Sequence, residues 1–403
     1  MFKFIHIADC HLDSAIVSNE KDKKLILEEM ENAFRASVNL CIEENCHALL
    51  ISGDLFDDEH LSFKTELMLR ECFDRLAKKN IKVFYCLGNH DPRSSKIRKF
   101  KLGDNVHIFD NEEPEIVQVT DSRGNVIGLV TGVGYSTKHV DYNLAKKFKL
   151  HNTNVDAPIV GMLHTSLDVG GDAKYAPCKY DDLLKHNYDY WALGHIHKTL
   201  VYGNDRPAVF PGCTCGRDFG ETGKKGGYLV ELDKDRPSKY EFIELAQIEW
   251  YDKKVDGFDE ANEANDMLNI CQMKINNNAN DSKTNIVRLT LSGQCPIYDC
   301  LSDEALDDLQ ESLSRSAGAK VTLVNKLSSL INPQDYINDK HLLAIALNMA
   351  KAAIENDELK VQLMEIINEQ YKRLDGGDRE EYINSLFDNI NKKLCDVMIK
   401  QDS

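Results

Sequence analysis

Five short polar clusters recur along the first two hundred residues, each behind an apolar run: "IADCHLDS" with Asp9 and His11, "LISGDLFDD" with Asp54, "CLGNHDP" with Asn89 and His90, "GMLHTS" with His164, and "ALGHIHK" with His195 and His197. Setting His90 aside, they offer two carboxylates, one amide and four imidazoles, a nitrogen and oxygen donor set without thiolate. Such a set suits manganese, iron or zinc and is too rich in nitrogen for magnesium or calcium. Asp9 and His11, like His195 and His197, stand two residues apart, so both members of a pair can project from one side of an extended segment. Seven ligands exceed what one metal takes. If Asp54 bridges, one ion receives Asp9, His11, Asp54 and His197, and the other receives Asp54, Asn89, His164 and His195. Two ions roughly 3.5–4 Å apart clamp a phosphoryl group and acidify a shared water, which points to hydrolysis of a phosphate ester. Taken singly, a strand histidine is usually a satisfied core residue and a Gly-Asp is usually a turn. The signal lies in five clusters arriving in order, each after a strand.

The elements that must position these clusters alternate. "FKFIHIA" reads as a strand, and residues 21–45 place Leu25, Met30, Phe34, Val38 and Ile42 near helical spacing. "HALLIS" is the next strand, 63–79 a helix with Leu67, Phe73 and Leu76 inward, and "IKVFYCLG" a third strand. This is an α/β pattern with parallel strands, and ligands bind at the carboxyl ends of such strands. After Asp104, "EIVQVT" and "VIGLVTGVGY" form a hairpin, and "PIVGMLHTS", "YDYWALGHIHK", "LVYG", "AVFPG" and "GGYLVEL" add strands. So many strands predict two packed sheets flanked by helices. Three regions are expected: 1–250 with the clusters, 251–330 as a small αβ unit, and 331–403 as C-terminal helices. In the middle region 257–275 and 302–317 read as helices, "NIVRLTLSG" and "AKVTLVNKL" as strands. Pro333 interrupts, and from Asn338 amphipathic helices follow, split by "LDGGDRE".

A chain of 403 residues is expected to hold two or three domains, and its 42% hydrophobic and 29% charged composition is that of a globular protein. No apolar run reaches the roughly 18 residues of a membrane helix. The opening "MFKFIHIADCHLDS" meets Asp9 too soon for a signal peptide, so an intracellular, cytoplasmic protein is expected. Twelve cysteines are scattered without a C-x-x-C pair, which predicts reduced thiols and no disulfide framework. The net charge of −17 lies mostly beyond residue 250. Any nucleic-acid contact must therefore be local, metal-assisted or shared with a partner.

The order D-x-H, G-D, G-N-H-D, H, G-H-x-H resembles that of the calcineurin-like metallophosphoesterases. "FPGCTCGRDFGETGKKGGYLVEL" (210–232) is similar to the segment after the G-H-x-H in the SbcD-type DNA repair exonucleases, and "FIHIADCHLDS" and "GDLFD" agree with that branch. The likeness extends to the YhaO-like bacterial group. The likeness covers about residues 1–250; beyond, it is one of layout, a small αβ cap and then helices that in such nucleases bind the coiled-coil base of an ATPase. The resemblance implies a two-sheet metallophosphoesterase sandwich, two divalent metals with manganese foremost, and a nucleoid-associated DNA repair exonuclease with or without endonuclease activity. It also implies an SbcC-like ATPase partner and a homodimer.

By the same resemblance His90 lies over the metals, protonating the leaving oxygen or stabilising the pentacovalent phosphorus, with Asp57 orienting it. Asp91 and Pro92 brace the turn. "RSSKIRKFK" places Arg93, Lys96, Arg98, Lys99 and Lys101 beside this turn as candidates for DNA phosphates, with Lys224 and Lys225 second. The plain alternative for the run is a solvated face. The remaining histidines, His6 among them, fit no ligand pattern and read as structural or surface residues. Two other functions stand beside the nuclease: a nucleotide or small-molecule phosphodiesterase, which the acidic charge favours, and a scaffold for an ATPase partner with minor catalysis.

Overall fold

Alternation along the first strand decides the layering. In β1 (Phe2–Ile7), Phe2 and Phe4 enter one core while Ile5 and Ile7 enter another, so the strand is covered on both faces. The computed structural model describes residues 1–14, 22–57, 61–95, 102–149, 156–168, 174–234, 236–276, 282–329 and 342–354, with positions 356 and 394. The described residues form two compact units, Met1–Tyr251 with Asn280–Ile286, and Asp252–Ala279 with Val287–Ser403.

In the first unit α1 (Lys23–Glu43) leads to β2 (Ala48–Ser52), and α2 (Phe63–Ala77) leads to β3 (Lys82–Cys86). β4 (Val106–Phe109) follows, and β1 to β4 run parallel in that order. α1 buries Ile26, Met30, Phe34 and Val38 at i, i+4 spacing against this sheet. The Ser62 hydroxyl accepts the Thr65 N–H at 3.1 Å, which starts α2 at Phe63. Its inward face is carried by Met68, Leu69, Cys72, Phe73 and Leu76. Leu67, expected inward, is 67% exposed, because it sits about 100° around the helix from Met68.

The second sheet holds β5 (Glu115–Thr120), β6 (Val126–Gly132), β7 (Ile159–His164), β8 (Tyr190–Gly194), β9 (Leu200–Tyr202) and β10 (Ala208–Phe210), in the spatial order β5-β6-β7-β8-β10-β9. The short α3 (Tyr180–Leu184) covers its outer face, where Leu144, Phe148, Leu183 and Trp191 pack together. β11 (Gly226–Asp233) and β12 (Arg236–Glu244) then return to the first sheet, β11 pairing antiparallel with β1. Phe2, Phe4, Leu50 and Val230 of one sheet meet Val130, Val160, Met162 and Val209 of the other, giving an α/β two-sheet sandwich flanked by helices.

A third sheet joins β13 (Ile248–Val255), β14 (Thr284–Gln294) and β15 (Lys320–Ser328). The second unit carries α4 (Ala264–Asn276), α5 (Asp303–Ala317) and α6 (Leu342–Ile354). α4 begins later than its apolar spacing suggests, because the Asp266 carboxylate accepts the N–H groups of Asn262 and Glu263 at 2.9 and 3.1 Å and sets the first turn there. Gly318, at φ 57°, ends α5 in the left-handed conformation that glycine takes without penalty. Beyond Ile354 the expected C-terminal helices lie outside the described residues. No described helix is long and apolar enough to cross a membrane. The eleven described cysteines are all unpaired, and only Cys300 is exposed.

Candidate metal centre

Every cluster sits where a strand of the sandwich ends. Asp9 and His11 follow β1, Asp54 follows β2, Asn89 and His90 follow β3, His164 closes β7, and His195 and His197 follow β8. The backbone bends sharply at these ends: Asp9, His11, Asp54 and His195 have φ of 50°, 47°, 49° and 102°. Non-glycine residues hold such angles only where neighbours over-determine them, commonly at functional sites. Here the loops are laced together, Asp9 N–H to Gly53 O at 3.1 Å and His11 N–H to Asp54 O at 3.0 Å. Asp91 accepts the N–H groups of Gly88 and Leu55 at 2.7 and 2.6 Å and the Tyr85 hydroxyl, so it ties the β2 and β3 turns together. Burial pushes its pKa up to about 6. Two glycines leave room for the ring of donors. A Cβ on Gly88 would stand 2.2 Å from Asp54 Oδ1, and one on Gly194 would stand 1.7 Å from Ser52 O.

The side chains converge tightly. His11 Nε2 lies 3.1 Å from His197 Nε2, and His197 Nε2 lies 3.8 Å from Asp9 Oδ1. Asp54 Oδ2 stands 3.9 Å from His11 Nε2 and 3.3 Å from His164 Nε2, so it faces both sides. Asn89 Oδ1 is 2.9 Å from His164 Nε2 and 3.1 Å from His195 Nδ1. Outer partners decide what these nitrogens present. His197 Nδ1 meets Glu221 Oε1 at 2.6 Å, His11 Nδ1 stands 3.6 Å from Asp57 Oδ1, and His164 Nδ1 meets Ser52 O at 3.0 Å. On His197 and His164 the outer nitrogen meets an acceptor and carries the proton of the neutral ring, which turns the Nε2 lone pair inward, while His11 Nδ1 stands beyond hydrogen-bonding distance of its carboxylate. Lone pairs of imidazole, carboxylate and amide then face one another at hydrogen-bonding distance, an arrangement that suits a cation between them. Asp9, His11 and His197, and separately Asp9, Asp54 and His164, bring their donor atoms close enough to hold an ion. The pocket's demand for positive charge is visible in His164: burial opposes its protonation, yet Asp54 and Asp9 hold its pKa up at about 9. His195, half-buried, is pushed down to about 3 by desolvation and by the facing His164.

His90 flanks this ring. Its Nδ1 lies 2.7 Å from Asp57 Oδ1, its ring stands edge-on to His11 at 4.9 Å between centroids, and its side chain is 24% exposed. Burial works against the Asp57 charge, but the His11 and His90 rings facing it hold its carboxyl well below the usual range.

A family model described as calcineurin-like phosphoesterase matches residues 2–199, which hold all seven donors and His90. The metallophosphoesterase YhaO of Bacillus subtilis shares 35% identity over 323 residues, 76% of this chain and 77% of that one. The chain is a calcineurin-like metallophosphoesterase. It is also similar to the DNA double-strand break repair protein Mre11 of Methanocaldococcus jannaschii, 26% identical over 92% of this chain and 99% of that one. The solved structure of TT1561 from Thermus thermophilus matches with a TM-score of 0.35 at 12% identity, covering 60% of this chain and 98% of that one, too slight a likeness to argue from. The family is one of hydrolases that bind divalent metals, and the donor set here accords with that.

Other expected residues fall differently in this metallophosphoesterase. Lys225 is 4% exposed and donates to His197 O at 3.0 Å, so it belongs to the interior and not to a phosphate-binding surface. Lys224 is exposed and paired with Glu244. The Arg93 guanidinium donates to Asn111 and stands 3.8 Å from Asp110. Lys96, Arg98, Lys99 and Lys101 lie outside the described residues. His6 is a core residue, its ring bonded to Ser52 Oγ at 3.0 Å and to the Tyr190 hydroxyl at 3.1 Å. Sequence reasoning did not single out Arg217 and Glu221 behind His197, nor Tyr135 and Tyr175, whose rings lie against His164 and His195 with centroids 5.6 and 4.7 Å apart. Glu221 and Arg217 sit inside the "GRDFGE" string, which signals them only through family likeness.

Proposed function

We propose that this metallophosphoesterase is a two-metal phosphodiesterase that cleaves DNA in repair, as an exonuclease with or without endonuclease activity. The observation that carries the reading is the inward turn of the ligand lone pairs at the strand ends. The residues fit two divalent ions of the manganese, iron or zinc kind, with manganese foremost by family resemblance; Asp9, His11, Asp54 and His197 would hold one and Asp54, Asn89, His164 and His195 the other. Such ions supply charge for the phosphoryl oxygens and an acidified water.

The chain's own residues do the rest. The rigid strand ends fix the ring and exclude slack from it. Asp57 holds the Nδ1 proton of His90, leaving Nε2 to deliver a proton to the leaving oxygen from the open side. DNA as the substrate is supported by the near full-length likeness to a protein named for double-strand break repair. The basic stretch beginning at Arg93, next to His90, supports phosphate contacts there. An SbcC-like ATPase partner on the C-terminal helices is supported by α6, which exposes Leu342, Ile345 and Met349 while burying Leu343 and Leu347. We place the protein in the cytoplasm with the nucleoid, as a homodimer.

The test is a manganese-supplemented assay on end-labelled duplex and hairpin DNA, with and without the ATPase subunit. Shortened DNA supports the reading. Turnover of a model diester or cyclic nucleotide with DNA left intact would transfer the site to a small-molecule phosphodiesterase.

A further inference from the structure

The run "PGCTCGRDFGETGKK" (211–225) wraps His197 from side chain and backbone together. Glu221 Oε1 meets His197 Nδ1 at 2.6 Å. Lys225 Nζ donates to His197 O at 3.0 Å, and Cys213 Sγ lies 3.8 Å from the same oxygen. Glu221 is in turn held by Arg217, whose backbone N–H donates to Oε2 at 2.8 Å and whose Nη2 donates to Oε1 at 2.8 Å. The same guanidinium reaches the other side of the centre, with Nη1 3.4 Å from both Asp57 Oδ2 and Ser14 Oγ. Arg217 and Glu221 are 7% and 8% exposed.

A buried cation beside a site that collects metal ions is costly unless it does something for the site. Charges taken out of water persist when paired and hydrogen-bonded on all sides, as this fork is. Its position between two carboxylates explains its presence. Unmatched, the Glu221 carboxylate could turn to compete for a metal, since His197, Cys213 and Glu221 lie close enough to hold one. Bound by the fork, Glu221 keeps one oxygen on His197 Nδ1 and serves as an acceptor.

We propose that Arg217 and Glu221 are positioning residues: Glu221 fixes the His197 tautomer with Nε2 facing His11, and the Arg217 fork holds Glu221 in that role. The proposal rests on the metal centre described under Proposed function. It assigns Arg217, Glu221 and Lys225 of the "GRDFGETGKK" string to the interior of the centre.

Manganese titration of the full-length chain, followed calorimetrically, tests this in the wild type, Glu221→Gln and Arg217→Lys. Gln keeps the size and loses the charge; Lys keeps the charge and loses the fork. Both variants should weaken one of the two ions about tenfold or more and leave the other unchanged, whatever the change in melting temperature before metal addition. Either variant binding both ions like the wild type overturns the proposal. So does loss of both ions in step with a lower melting temperature, which would make the pair a general structural brace. A wild type that binds no ion overturns the reading beneath it, and shows this before any substitution is compared.

Discussion

The two halves of the centre are held by opposite means. His11 and His197 lean on side-chain carboxylates, Asp57 and Glu221, whereas His164 leans on the backbone carbonyl of Ser52 and His195 is pinned by its own N–H, which donates to Asp9 at 3.0 Å. Beneath the backbone-held half the Ser52 hydroxyl donates to Ala192 O at 3.1 Å and meets His6, so strand geometry carries it down to the sandwich core. The carboxylate-held half ends in a buried ion network that also supports His90. One half is therefore open to adjustment by single side chains, whereas in the other His164 moves only if the strands move.

The largest effect should come from the adjustable side. His90→Ala should lower kcat by about 10²–10⁴-fold while two manganese ions remain bound. Loss of an ion, seen in metal content after dialysis, would place His90 among the ligands. Asp57→Asn should follow at about 10–100-fold, because it loosens both His90 and His11. Affinity should fall for the His11 ion alone; equal weakening of both would erase the distinction between the halves.

The backbone-held side should break through packing. A methyl at Gly194 collides with Ser52 O, so Gly194→Ala should cost about 3 kcal/mol of stability in denaturant titrations and disturb the His164 ion most. A stable variant with normal metal binding would show that the Ser52 carbonyl does not hold His164 in place. The effect that is nil at neutral pH concerns acid. Burial holds the His6 pKa down at about 3 against an ordinary 6.5, so below pH 6.5 the unfolded chain gains a proton that the folded chain refuses until about pH 3. Stability should fall as pH drops through that window. His6→Gln should flatten this decline in thermal melts, and an unchanged slope would remove His6 from the account.

This contrast also explains what could be read from the sequence. The donors of the backbone-held half announce themselves, because Gly53 precedes Asp54, Gly88 precedes Asn89 and Gly194 precedes His195, so the space-making residue and the proposed ligand share one motif. The carboxylate supports do not. Glu221 and Arg217 reach His197 across 24 and 20 positions of chain, and nothing local marks them. At the level of fold, the βαβ rhythm of the first three strands was legible from apolar runs. β4 and β13 were not, since "VHIF" is short and half-exposed and "IEWYDKKV" alternates apolar with charged residues. Leu67 shows the limit of helical spacing, where one position decides between core and solvent.

The central claim is that a bridging carboxylate assembles two ions at these strand ends. Calorimetric titration with manganese of the wild type and Asp54→Ala tests it most directly. The account predicts two ions per wild-type chain and loss of high-affinity binding at both sites in the variant. A wild type that takes one ion, or an Asp54→Ala chain that still takes two, would contradict it.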